Sequence, residues 1–102
     1  MAQAPTVLMN EDTHRFEVEV EGETAFAEYR LRNGVLTLPH TLVPDALEGR
    51  GIAKALATTA LGYARDNGLV VRPTCRFIAA YIARHPEWQD IVDPAFRAPP
   101  KD

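Results

Sequence analysis

The hydrophobic period changes once along the chain, and this change limits the folds that are available. From about residue 15 to residue 43, apolar side chains recur at every second position, as in a strand with one buried face. Further on they recur every three or four residues, as on one face of a helix: Ile52, Ala55, Leu56, Thr59, Ala60 and Tyr63. An antiparallel sheet is therefore expected to precede a helical segment.

Three strands are predicted in the first half. HRFEVEVEG and ETAFAEYRLR alternate polar and apolar side chains, and Gly22 marks the turn between them. Asn33-Gly34 predicts a tight hairpin into VLTLPHTLV, because both residues tolerate positive φ. Pro39 cannot donate a ladder hydrogen bond, so it belongs at an edge or a bulge. We therefore expect this third strand to be interrupted near Pro39–His40, leaving backbone groups free.

The second half predicts helix, strand, helix. Asn67-Gly68 is expected to end the first helix, and LVVR is a short apolar strand that ends at Pro73. The second helix, CRFIAAYIARH, has Thr74 in position to cap it. The fold class is therefore α+β, an antiparallel meander followed by helix–strand–helix, with a crossover between the third strand and LVVR. We expect one domain over residues 1–102, with its core at about 7–92.

Composition argues against several functions and locations. A net charge of −3 argues against nucleic-acid binding through a basic face. No apolar run approaches the roughly 18 residues of a membrane span, and no signal peptide is visible. A single cysteine, Cys75, fits a reducing, cytoplasmic location. The three histidines and the single cysteine are not spaced like the ligands of a metal ion, so no metal site is predicted.

The segment LEGRGIAKAL places two glycines around a cation where the first helix begins. A helix N-terminus has unpaired N–H groups and partial positive charge, so it can accept a phosphate. Gly49 and Gly51 would let an anion approach the backbone, while Arg50 and Lys54 would add charged hydrogen bonds. A tight turn without a ligand is the alternative, because Gly-x-Gly is a weak signal and the P-loop spacing is absent.

EGRGIAKAL resembles the acyl-CoA pyrophosphate loop of the GNAT superfamily of N-acetyltransferases, [Q/R]-x-x-G-x-[G/A]. Gly51 and Ala53 match this pattern, whereas Glu48 stands where glutamine or arginine is usual. HTLVPDALEGRGIA, RPTC and YIARHPEW resemble a short, single-domain GNAT-like branch over roughly residues 7–92. In that branch a glutamate commonly stands where this chain has Leu42, so a candidate base is missing.

The resemblance implies acetyl-CoA as the acetyl donor and an N-acetyltransferase activity toward an amine. The interruption at Pro39 would splay the third strand from LVVR and open a slot for the thioester. The pantetheine arm would pair with the backbone at Leu42 and Val43. The diphosphate end would lie at the helix start, on Gly49, Arg50, Gly51, Ile52, Ala53 and Lys54. Two alternatives stay open: a CoA-binding or acyl-CoA-sensing module without turnover, and an interaction domain in which the glycines are structural.

Cys75 and His40 are the candidate catalytic residues. Cys75 is predicted in the first turn of the second helix beside Arg72 and Arg76, a setting that raises the thiolate fraction of a cysteine. A thiolate can accept the acetyl group and pass it on, although a buried, inert cysteine is the alternative. His40 is expected to face the slot at the strand interruption as a base, or to be merely structural. Tyr81 is expected to pack in the core.

The sequence defines the binding site for the acetyl acceptor less well than the site for the donor. Typical GNAT domains have two helices between their first strands, whereas this chain turns directly at Gly22 and Asn33-Gly34. The acceptor wall is then missing or supplied by another chain, so an oligomer stays open. We favour a protein or peptide amine as acceptor over a small amine. Glu17, Glu19 and Glu21 form an acidic strand face that would attract a cationic acceptor.

Overall fold

The computed structural model describes residues 6–96. The five strands, in chain order, are β1 (Leu8–Asn10), β2 (Arg15–Val20), β3 (Glu23–Arg32), β4 (Val35–Leu42) and β5 (Val70–Arg72), and the two helices are α1 (Ile52–Asp66) and α2 (Arg76–Arg84). Short 3-10 turns cover Asp45–Leu47, Pro86–Ile91 and Pro94–Phe96. The predicted α+β order is confirmed, and β1 is an additional strand that the sequence pattern did not indicate.

One sheet contains all five strands, in the order in which they occur along the chain. β1 to β4 pair antiparallel, and β5 joins β4 in parallel after α1 has crossed the sheet. Asn33 (φ 52°) and Gly34 (φ 78°) form the predicted hairpin with positive φ. β4 therefore lies between two neighbours in the region where β5 reaches it.

The buried apolar residues of the strands project from one face of the sheet, and α1 and α2 pack on that face. These strand residues are Phe16, Val18, Ala25, Ala27, Tyr29, Leu36, Leu38 and Val71. The part of the chain that the structure describes buries no polar or charged residue. None of its helices is long and apolar enough to cross a membrane. The period-two pattern thus identified the core face correctly.

β4 contains a bulge where the sequence predicted a break. Its pairing with β3 continues to Leu42, but two β4 residues, Leu38 and Pro39, stand opposite the single β3 residue Tyr29. Such a bulge leaves one residue outside the ladder, which is a position that a proline tolerates. The bulge expected at Pro39 is therefore confirmed, whereas pairing with β3 resumes at His40 and is not broken there.

The predicted splay between β4 and β5 is confirmed. Their parallel pairing ends at Thr37 and Arg72. One step further, the Cys75 N–H donates to the Leu38 carbonyl at 2.9 Å. Beyond this point no described strand pairs with β4 on the β5 side, so the sheet opens there.

The C-terminal end of α2 is held against α1. The guanidinium of Arg65 lies 4.4 Å from the ring centroid of Trp88 and donates to the Glu87 carbonyl at 2.7 Å. Both partners belong to the 3-10 turn Pro86–Ile91, which directly follows α2. These contacts fix the position of the last turn of α2 relative to α1.

Candidate functional site

The splay opens a slot of about 600 Å³ between the end of β4, the start of α1 and one side of α2. This volume is in the range of small-molecule sites. The slot is lined by Thr41, Val43, Leu47, Glu48, Gly49, Gly51, Ile52, Ala53, Lys54, Phe77, Tyr81, Arg84 and His85. We call the part around the glycines the loop end, and the part around Thr41 and Phe77 the strand end.

The loop end has a bare helix N-terminus. Gly49 (φ 80°) and Gly51 (φ 76°) are both left-handed, a conformation that favours glycine, and a Cβ at either would meet no atom within 4 Å. Gly51 is the N-cap of α1 and makes no side-chain cap hydrogen bond. The glycines therefore shape the loop and leave open space above the backbone, where the N–H groups of the first turn need an acceptor.

The charges at the loop end differ from the expectation. Arg50 pairs with Glu21, at the turn between β2 and β3, and does not line the slot. Lys54 lines it as predicted, and so does Arg84, which the sequence did not point to. Neither cation has a carboxylate partner among residues 6–96. Glu48 lines the same end, so the departure from the usual glutamine or arginine places a carboxylate at the slot.

The β4 wall of the slot consists of Thr41 and Val43. Leu42 is 46% exposed, and its partner on β3 is Phe26, which belongs to the sheet face without helices. No described strand occupies the β5 side of β4 along residues 39–42. The backbone at Leu42 and Val43 thus borders an open edge, and its predicted role toward a ligand stays a prediction.

His40 does not line the slot. It is exposed, it pairs with Glu28, and its ring lies 5.9 Å from the Phe26 ring in an edge-to-face contact. The expectation that His40 faces the slot is wrong, because the extra residue in the bulge reverses the alternation after Leu38 and turns Thr41 inward instead. A role for His40 as base stays a prediction without support from its position.

Cys75 lies just behind the strand end. It is the N-cap of α2, where Thr74 was expected, and its Sγ lies 3.4 Å from Thr41 Oγ1. Thr41 lines the slot, whereas Cys75 does not. Of the cations expected beside the thiol, Arg72 donates its Nε to Asp93 at 2.8 Å and is therefore partly neutralised. The thiol is half-buried and one side chain away from the slot.

Tyr81 and His85 form a stacked pair in the wall that α2 contributes. Tyr81 is 5% exposed and belongs to the core, as expected, but it also lines the slot. The His85 ring stacks on it with centroids 4.1 Å apart, and His85 Nδ1 lies 2.9 Å from the Tyr81 carbonyl oxygen. Because a carbonyl only accepts, Nδ1 carries a proton and donates to it. The i, i+4, i+7 spacing of Phe77, Tyr81 and Arg84 is the sequence signal for this wall.

The predicted acidic strand face and the potential metal-ligating side chains are the remaining features to place relative to the slot. Glu17 and Glu19 occupy the sheet face opposite the helices, and Glu17 accepts from Asn10 Nδ2 at 3.0 Å. Glu17 and Glu19 are therefore not next to the slot, whereas Glu21 pairs with Arg50 between the two loop glycines. Among the described residues, no group of three or more His, Cys, Asp or Glu side chains is arranged to hold a metal ion.

A protein-family model described as GCN5-related N-acetyl-transferase matches residues 15–91. The match covers most of the chain, including the slot and both helices. The chain therefore belongs to the GCN5-related N-acetyltransferase family, which confirms the resemblance seen in the glycine loop.

Similar proteins agree with this assignment. Protein NATD1 of Gallus gallus and of Mus musculus are each 44% identical over 52 residues, which is 51% of this chain and 47% of each relative. The match thus spans about half the length of these curated relatives. The NMR structure of a GCN5-like protein from Staphylococcus aureus superimposes with a TM-score of 0.69 at 26% identity, covering 86% of this chain and 87% of that chain.

Proposed function

We propose that this protein binds acetyl-CoA in the slot and transfers the acetyl group to an amine. The observation that carries the proposal is the order of features along one slot. A bare, glycine-opened helix N-terminus is followed by an open strand edge and then by the contact between Thr41 and Cys75. An anion site, a hydrogen-bonding edge and a reactive group in this order fit a long thioester with phosphates at one end. Membership of the family supports acetyl transfer.

At the loop end, the N–H groups of the first turn of α1 and the ammonium of Lys54 would hold the diphosphate. Along residues 42–43, the amides of the pantetheine arm would pair with the β4 backbone as an added strand does. The acetyl thioester would then lie beside Thr41. Each part of the donor thus meets a group of suitable chemistry.

Two routes of transfer stay open. In direct transfer, the amine nitrogen attacks the thioester carbonyl, the C–S bond breaks, and CoA leaves as a thiolate while the amine loses a proton. In the relay, the Cys75 thiolate attacks first, CoA leaves, and the amine then attacks acetyl-Cys75. The relay requires Cys75 to reach past Thr41, because the thiol does not line the slot.

One observation favours the second candidate function, a CoA-binding module without turnover. The strand end of the slot is lined by Thr41, Val43 and Phe77, none of which is a base at neutral pH. His40 faces away, and Leu42 replaces the glutamate common in the branch. Catalysis would then depend on deprotonated amine, on a base brought by the acceptor, or on His85, which lines the slot from the α2 side.

The proposed acceptor is a protein or peptide amine. β2, β3 and β4 are joined by tight turns at Gly22 and Gly34, so no described helix between them encloses a small molecule. A protein or peptide acceptor supplies its own surface around the amine, so it does not need a helix that encloses it. A second chain that completes the site around a small amine is the alternative arrangement.

The test combines binding with turnover. Calorimetry measures CoA affinity, and release of free CoA is followed with basic peptides and with a matched set of polyamines and aminoglycosides. Acetylation of peptides supports the proposal, while reaction with small amines alone contradicts the large acceptor. CoA binding without transfer to either set favours the non-catalytic module. Intact mass after acetyl-CoA treatment of wild type and Cys75→Ala distinguishes the relay, which requires an added acetyl group on the wild type alone.

A further inference from the structure

Arg84 lines the slot from the opposite end of α2 to Cys75, the N-cap of that helix. It is the last residue of α2, and it lines the slot together with Gly51 and Lys54. Arg84 follows Cys75 by nine positions, which corresponds to about 13.5 Å along a helix. α2 therefore carries Arg84 away from the Thr41–Cys75 contact while keeping it in the lining of the slot. Arg84 is thus the α2 cation that a bound CoA would meet in the part of the slot remote from its thioester.

The loop end has more cationic groups than one diphosphate needs. The N–H groups of α1 and Lys54 can serve the diphosphate, while Arg50 is engaged by Glu21. Glu48 lines the same end and would repel any additional phosphate. Arg84 is exposed, and no described carboxylate pairs with it. This free guanidinium can offset Glu48.

CoA carries, besides its diphosphate, a phosphomonoester on the ribose. A phosphomonoester has close to two negative charges at neutral pH, and its oxygens match the planar fork of a guanidinium. Resting on the function proposed above, we infer that Arg84 binds the 3′-phosphate of CoA. This contact makes the slot selective for CoA over dephospho-CoA, which lacks that phosphate.

The base of the Arg84 side chain is held in place by its neighbours. His85 donates from Nδ1 to the Tyr81 carbonyl and stacks on the Tyr81 ring. Arg65 anchors the 3-10 turn that follows. A helix end fixed in this way loses less freedom when its arginine binds a ligand.

Calorimetry with CoA and with dephospho-CoA tests the inference on wild type, Arg84→Gln, Arg84→Lys and Arg32→Gln. Glutamine removes the charge but keeps the helix propensity of arginine. We expect Arg84→Gln to weaken CoA binding about tenfold, as for a lost charged hydrogen bond, and to leave dephospho-CoA binding unchanged. Arg84→Lys should keep part of the preference for CoA over dephospho-CoA. Arg32→Gln, an equal charge loss at the exposed end of β3 outside the slot, should change neither affinity.

The outcomes separate this inference from the proposed function. If Arg84→Gln weakens the binding of CoA and of dephospho-CoA equally, Arg84 contacts the diphosphate. This result would overturn the inference but not the proposed function. Unchanged CoA affinity in Arg84→Gln would also overturn the inference alone. Failure of the wild type to bind CoA would overturn the proposed function together with the inference. Thermal unfolding without ligand shows whether each variant is folded. If Arg84→Gln is not folded, the affinities of Arg84→Lys for CoA and dephospho-CoA test the inference instead.

Discussion

The two halves of β4 have the same backbone chemistry and very different surroundings. Residues 35–38 lie between β3 and β5, and Leu36 and Leu38 are fully buried against the helices. Residues 39–42 pair with β3 alone, and none of them is fully buried. One extra residue at the bulge and the early end of β5 separate the two halves.

This difference shows how a small domain divides stability from binding. The first half contributes apolar area to the core, which stabilises the fold by about 25 cal/mol per Å² buried. The second half keeps an unpaired strand edge, which is normally an aggregation risk but is also a surface for pairing with a ligand. Changes in the first half should therefore affect stability, and changes around the second half should affect CoA binding.

The largest expected effect tests the first half. Leu36→Ala removes a fully buried side chain and should lower the free energy of unfolding by about 2–5 kcal/mol. Urea unfolding measures this loss. The matched change in the second half is Leu42→Ala, at a side chain that is 46% exposed, and it should cost no more than about 0.5 kcal/mol. Equal losses would mean that the two halves are equally important for the core.

The next effect tests the loop end. Gly51→Val places a β-branched residue at φ 76° and fills the space above the helix N-terminus, so CoA affinity should fall by about tenfold or more. Gly34→Val is the control, because Gly34 has a similar φ of 78° in the hairpin far from the slot. Both variants should lose stability, by about 1–3 kcal/mol each. Equal CoA affinities in calorimetry would contradict the position of the diphosphate.

A smaller gain is expected from Glu48→Gln. Glu48 lines the loop end and would repel a phosphate bound there, so its neutralisation should strengthen CoA binding a few-fold, and more at low salt. Calorimetry at two salt concentrations measures this gain. Glu19→Gln, on the sheet face opposite the helices, serves as the control for net charge. A weaker affinity in Glu48→Gln would show that the carboxylate assists binding.

The smallest effect concerns Tyr29, which stands opposite the bulge. Burial raises the pKa of Tyr29 above its ordinary value of 10.0, and the nearby Glu11 and Tyr63 add to the shift. Because the unfolded state then ionises first, Tyr29 stabilises the fold below about pH 10, and this contribution is lost as the pH rises through its pKa in the folded protein. Unfolding above pH 10 should depend less steeply on pH in Tyr29→Phe than in wild type. Parallel pH profiles would show that Tyr29 does not contribute.

The sequence predicted the elements because they depend on neighbours along the chain. Alternation marked β2, β3 and β4, and helical spacing marked α1 and α2. Asn33-Gly34 set the hairpin, and the glycines at 49 and 51 marked a bare helix start, because left-handed φ is a local property. The glycine loop was also sufficient to indicate the family, which the family model confirms.

Tertiary structure decided which side chains meet in the slot. The bulge depends on the register between β3 and β4, so alternation alone placed His40 inward where Thr41 stands. Arg50 was expected at the phosphates but pairs with Glu21, which the β2–β3 turn presents. Arg84 reaches the slot because α2 packs beside α1 and β4. Local sequence fixes the conformation of a segment, whereas contacts between distant segments depend on how the whole sheet pairs and how the helices pack on it.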